Sequence, residues 1–393
     1  MRSLAMAAVF TANLLGAAMA QTPAPLIVEK KVFELPSYTT LGGRTIKQVR
    51  VGWQSAGTLN AERSNAILIT HFFSGNSHAF GKYKAEDAAA GYWDAIIGPG
   101  KAIDTNKFFV LSSDTLVNLN MAGGTVTTGP ASVNPDTGKP WGMDFPVVGI
   151  GDFVQVQKAL VESLGIAKLH AVAGPSMGSL QVYDWAARYP EMVDRIMPVI
   201  GAAEASPWLI AWVDVWAAPI RLDPKWNGGD YYGREPPLAG LTEALKVVSL
   251  QANHWDWAEK GFGRAHAEGG KDPAADMASR YRIESFLGAA GAARAKVSDA
   301  NHFLYLVKAN QTFAPGGAQT LEEAAKKIKA RTLLLYAPGD QVFPAEWIKR
   351  TEAALKAAGV AVESAEIGGP NGHLNGVIGL GPLSPKIAAF MAK

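Results

Sequence analysis

AVAGPSMGSL, residues 171–180, is the stretch whose reading decides the fold. Inside it lies Gly174-Pro175-Ser176-Met177-Gly178, a G-x-S-x-G. In a chain with 41 glycines among 393 residues the bare pattern says little, so its flanks carry the weight. Leu169-His170-Ala171-Val172-Ala173 is small, apolar and β-branched at its centre, the signature of a short buried strand. From Leu180 to Arg188 the pattern is helical, and Tyr189-Pro190 ends it. A strand, a sharp turn and a helix lift a serine hydroxyl above a parallel sheet. The flanking glycines are needed because the turn is strained and leaves no room for a Cβ. Ser176 is therefore the candidate nucleophile.

Working outward, strand-like runs occur at 47–53, 66–70, 108–112, 169–173, 195–200, 332–337 and 362–367. Helical patterns lie between several of them, notably 151–164 and 345–358. This alternation predicts an α/β fold, a mainly parallel sheet with helices on both faces. Right-handed crossovers then bring the strand ends to one edge, where the sites of such sheets gather. Residues 205–330 break the alternation, with helices and loops but no strand, and predict a helical lid inserted into a core of 21–204 and 331–393. Trp208, Trp212 and Trp216 recur every fourth residue there and share one helix face. That stripe either packs the lid onto the core or walls an apolar substrate site, for which Trp212 and Trp216 are the candidates.

Met1-Arg2-Ser3, an apolar run to Ala17 and Ala18-Met19-Ala20 read as a secretory signal over residues 1–20. The mature chain then starts near Gln21, in the periplasm or outside the cell, with a partly loose segment to Lys31. The apolar run is too short to span a bilayer. The chain has no cysteine, which excludes disulfides and thiolate chemistry and accords with export. A net charge of +2, from 37 basic and 35 acidic residues, leaves no basic footprint for nucleic acid. No H-E-x-x-H or comparable ligand cluster suggests a metal, and no cofactor is expected.

A serine hydroxyl needs a base, and the base an orienting carboxylate. Of seven histidines, His170 enters the strand before Ser176, and His254, His266 and His302 fall in the lid. His71 and His78 flank a loop after an early strand. His373 lies in Gly368-Gly369-Pro370-Asn371-Gly372-His373, just past the last strand, at the edge where Ser176 emerges. Asp340 ends the buried strand Leu333-Leu334-Leu335-Tyr336-Ala337 on the same edge. The chain order Ser176, Asp340, His373 is that of an α/β-hydrolase. Met177 N–H supplies one oxyanion donor, and Phe73, in the loop Thr70-His71-Phe72-Phe73-Ser74-Gly75, is the candidate for the other.

From about Gln48 onward the chain resembles the homoserine O-acetyltransferases and their α/β-hydrolase relatives. The matching stretches include Gly98-Pro99-Gly100-Lys101-Ala102-Ile103-Asp104-Thr105 and Asp223-Pro224-Lys225-Trp226-Asn227-Gly228-Gly229-Asp230-Tyr231-Tyr232. Phe262-Gly263-Arg264 and Asp299-Ala300-Asn301-His302-Phe303 match as well, which marks Arg264 as a substrate-site candidate. The resemblance implies a triad at Ser176, Asp340 and His373 and a helical lid. Three departures bear on the substrate. Leu374 stands where the family has an aspartate for the homoserine amino group. Ala217 stands where it has an arginine for the carboxylate, and Pro175 where it has glycine. An amino-acid zwitterion loses both partners, at a cost of several kcal/mol in a closed pocket. Acyl-CoA is cytoplasmic, so an exported enzyme lacks the family's usual donor. The leading expectation is a secreted serine esterase acting on a small-molecule ester. The alternative is an O-acyltransferase with another hydroxylated acceptor, and a catalytically dead binding protein is a third reading. Self-association as a homodimer stays open.

Overall fold

The strand that carries the G-x-S-x-G lies inside an eight-stranded sheet. The computed structural model describes residues 24–267, 269 and 271–392, so the expected signal segment and Gln21 lie outside the described residues. The strands are β1 (Lys31–Thr39), β2 (Thr45–Ala56), β3 (Ala66–Ile69), β4 (Phe109–Ser113), β5 (Ala171–Pro175), β6 (Arg195–Val199), β7 (Arg331–Tyr336) and β8 (Val362–Glu366). Their order is β1-β2-β4-β3-β5-β6-β7-β8. The pairs β1/β2 and β2/β4 are antiparallel, and every other neighbouring pair is parallel.

The central strands are predominantly apolar because both faces are covered. Leu68, Val172 and Leu334 point into one core with helices α1 (Ile150–Ser163) and α2 (Met177–Arg188). Ile67, Ala171, Ala173, Leu333 and Leu335 alternate into the other core, with the segment around Phe80 and Trp93.

Strand β1 has no counterpart among the runs read from the sequence. Its face is only half buried, and Pro36 interrupts it, which an edge strand tolerates. It forms because the Thr40–Gly43 turn folds it back onto β2. The segment before it is also tied down, in contrast to the loose terminus expected. Val28 N–H donates to Lys82 O, and Lys82 N–H to Leu26 O.

Five helices follow β6: α3 (Pro207–Leu222), α4 (Leu238–Ala252), α5 (Trp255–Phe262), α6 (Arg282–Ala295) and α7 (Ala300–Gln311). Their starts are locally encoded. Ser206 Oγ accepts from Leu209 N–H ahead of Pro207, and Asp299 Oδ1 accepts from His302 N–H. Helix α8 (Leu321–Lys327) instead packs on α2 and on α9 (Ala345–Ala357), so it is part of the core layer. The inserted lid thus ends earlier than residue 330. Two helices close the chain, α10 (Asn375–Ile378) and α11 (Ser384–Ala392), and α11 covers the second core. Among the described residues no helix is long and apolar enough to cross a membrane.

Candidate active site

Ser176 sits at the tip of the turn between β5 and α2 with φ 57° and ψ −121°. That strained conformation is held by crowding from the neighbouring strand end. A Cβ on Gly174 would meet Thr70 Oγ1 at 2.0 Å, and one on Gly178 would meet Thr70 O at 2.7 Å. Thr70 Oγ1 donates to Gly178 O at 2.8 Å, and Ser176 N–H to Val199 O at 2.8 Å. The two motif glycines are therefore what lets the turn approach β3.

The loops after β7 and β8 bring Asp340 and His373 to this serine. His373 Nε2 lies 2.8 Å from Ser176 Oγ, and His373 Nδ1 lies 2.7 Å from Asp340 Oδ2. Asp340 Oδ1 accepts from Val342 N–H at 2.8 Å and Phe343 N–H at 2.9 Å, which fixes the carboxylate. Phe343 stacks on the imidazole at 22° between planes. With Nδ1–H donated to Asp340, Nε2 is free to accept the serine proton. All three side chains are buried, so the relay works in a low dielectric.

Two further constraints place the residues expected to supply the oxyanion donors. Met177 is the first residue of α2, so its N–H has no intrahelical acceptor and lies at the positive end of the helix dipole. Phe73 is buried against Trp216 and Phe303, with ring centroids 5.5 and 5.1 Å away. Its loop is braced from below: Asn118 Nδ2 donates to Gly75 O, and Ser77 N–H to Asp114 Oδ1. Lys30 Nζ reaches Asp114 Oδ2 at 2.6 Å in a largely buried ion pair, and burial pushes the ammonium pKa down against the pull of that carboxylate. Sequence reading missed this brace, because Lys30, Ser77 and Asp114 are brought together only by the sheet.

The other histidines stay away from the serine. His170 contacts Met391 O and Arg195, and the fully buried His302 donates from Nδ1 to Asn118 O while Nε2 accepts from Ala131 N–H. His71 donates from Nδ1 to Phe72 O, and its burial lowers its pKa.

Above Ser176 the lid closes a cavity of about 380 Å³, walled by Phe72, Phe73, Trp216, Trp257, Phe286, Leu374 and Val377 among others. Four candidates are sorted by this cavity. Trp216 lines it, 5% exposed, with Nε1 donating to Gln251 Oε1. Trp212 does not line it; it is half buried and meets Trp208, itself 48% exposed, edge to face. A spacing of four drifts by about 40° per step around a helix, so the stripe turns from cavity to solvent. Arg264 is also outside: it is exposed and bonded to Tyr281. Ala217 is fully buried and not a cavity residue, so an arginine there would overpack the α3 contact rather than reach a substrate.

A parallel sheet, a strained serine at a strand–helix turn and a His–Asp relay define a serine-nucleophile enzyme of the α/β-hydrolase type. A family model described as alpha/beta hydrolase fold matches residues 128–366. The homoserine O-acetyltransferase of Methanococcus vannielii is 37% identical over 367 residues, 93% of this chain and 73% of that one. The crystal structure of a homoserine O-acetyltransferase from Bacillus anthracis superposes with a TM-score of 0.89 at 37% identity, covering 94% of this chain and 98% of that one. Esterase E22 superposes equally well, TM-score 0.89 at 47% identity over 93% of this chain and 100% of that one. The chain belongs to the homoserine O-acetyltransferase family of the α/β-hydrolases.

Proposed function

We propose that the protein is a secreted serine esterase that cleaves carboxylic esters through an acyl-enzyme on Ser176. The observation that carries this reading is the Ser176–His373–Asp340 relay opening into a cavity that, among the described residues, no Asp or Glu lines. Ser176 Oγ attacks the ester carbonyl while His373 Nε2 takes its proton. Met177 and Phe73 N–H groups stabilise the tetrahedral oxyanion, and the alcohol leaves with the proton from His373. Water, activated by the same histidine, then releases the acid. Homoserine would bring an ammonium into this cavity with no carboxylate to receive it, and Leu374 in place of the family's aspartate is the local cause. The similarity to esterase E22 supports the same reading.

The second reading is O-acyl transfer to a hydroxylated acceptor, favoured by the homoserine O-acetyltransferase relatives. Both share the acyl-enzyme and differ in what attacks it. Short-chain aryl esters, supplied with and without alcohol and amino-acid acceptors, separate them by product analysis. Free acid should dominate. Acetylation of homoserine from acetyl-CoA should fall about two to three decades below that of a family member with the charged anchors. Leu374→Asp should raise it, and efficient homoserine acetylation by the unchanged protein would overturn the esterase reading.

Export rests on Ala18-Met19-Ala20. Protein recovered from its native host should begin at or near Gln21 in the periplasmic or extracellular fraction. An intact Met1 in cytoplasmic protein would reject export and restore acyl-CoA as a donor.

A further inference from the structure

Among the residues lining the catalytic cavity, a single Asp, Glu, Lys or Arg side chain occurs, Arg294 near the end of α6. Its guanidinium carries five N–H donors, and its one hydrogen bond among the described residues runs from Nη1 to Ser249 Oγ at 2.8 Å. The Ser249 hydroxyl proton is already given to Leu245 O at 2.7 Å, so Ser249 meets Arg294 as a neutral acceptor only. No carboxylate of the described residues lies within ion-pair distance of Arg294. Burial depresses its pKa, with no opposing charge nearby. Arg294 is half-buried, so its guanidinium loses part of its hydration, and charges so placed are normally paired.

The placement is built into the lid. Leu287, Gly291 and Ala295 form the buried face of α6. At Gly291 a Cβ would meet Thr242 O at 2.8 Å, so glycine is what lets α6 lie close against α4. That approach holds Arg294 beside Ser249 and among the residues lining the cavity shared with Ser176 and His373.

We infer that Arg294 is the anchor for a carboxylate carried by the substrate, so that the site takes esters bearing a free carboxylate away from the scissile bond. This rests on the ester-cleaving reading of Ser176. A planar carboxylate accepts two parallel N–H bonds from a guanidinium and supplies the missing counter-charge. The cavity offers no acidic side chain for an ammonium, so a simple carboxylate ester fits and a zwitterionic amino acid does not. The carboxylate can reside on the acyl or on the alcohol part. In either case Ser176 Oγ bonds to the carbonyl carbon, the ester C–O bond breaks, and the alcohol departs with the proton held by His373.

Two pairs matched in carbon-chain length test this by titration of released acid: monoethyl glutarate against ethyl pentanoate for the acyl side, and 4-acetoxybutyrate against butyl acetate for the alcohol side. In Arg294→Met the ratio of kcat/KM for the charged over the neutral ester should fall by about 30-fold or more in at least one pair. Arg294→Lys should restore much of that ratio. A ratio within about threefold of wild type in both pairs would overturn the assignment and leave Arg294 as a strut between α4 and α6. Binding is read separately by calorimetry in the Ser176→Ala protein. Glutarate should bind there and be lost in Ser176→Ala/Arg294→Met, whereas no difference between the two would count against the anchor. If the unchanged protein turns over none of the four esters, the esterase reading falls, and glutarate binding then decides the anchor by itself.

Discussion

Ser176→Ala is expected to lower ester turnover by about 10⁴- to 10⁶-fold and to abolish labelling by a serine-directed phosphonate. The loss is large because, in the proposed mechanism, Ser176 Oγ forms the acyl bond, and it lies 2.8 Å from the His373 nitrogen proposed to take its proton. The fold should survive, since the turn is held by backbone contacts at Gly174, Gly178 and Thr70 rather than by the hydroxyl. His373→Ala should cost about as much, and the double variant little more, because the two residues act as one unit. Circular dichroism of each variant checks the fold and turnover of an aryl ester checks the chemistry. Labelling that persists at another residue would remove Ser176 from the mechanism, and near-normal turnover in His373→Ala would place the base elsewhere.

Asp340→Asn should reduce turnover by about 10⁴-fold with little loss of stability. The amide oxygen can still accept from Val342 and Phe343 N–H, so the loop keeps its shape. The amide nitrogen then faces His373 Nδ1, where the carboxylate accepted a hydrogen bond at an N···O distance of 2.7 Å. Two donors cannot share that bond, so the imidazole moves its proton to Nε2 and can no longer accept from Ser176. Thermal denaturation and kcat measured on the same preparation separate the two effects. A loss of less than tenfold would mean that Asp340 does not set the tautomer.

The reach of sequence reading can be followed residue by residue. The strand at 171–175 and the helix from Met177 are announced by local composition and by the G-x-S-x-G between them. Buried parallel strands are uniformly apolar, which is why β3, β5, β6 and β7 are legible. β1 is not, because its half-exposed pattern and Pro36 gain meaning only when β2 is beside it. Helix α8 falls within the 205–330 range expected for the lid for a related reason: its pattern says helix, and nothing in it says which layer receives it.

The sequence by itself determined the elbow at Ser176, the edge on which Asp340 and His373 emerge, and the identities at Leu374 and Ala217. Those follow from short-range rules: a strand alternates its faces, a turn needs glycine, and parallel strands end on a common edge. Only the tertiary structure decided which lid side chains line the cavity above the serine. Trp216 and Arg294 do, whereas Trp212, Arg264 and Ala217 do not. The rotation of α3 and the close approach of α6 to α4 are set by packing between helices distant in the chain. A helical period marks which residues share a face, but the partner that face meets is fixed by long-range contacts.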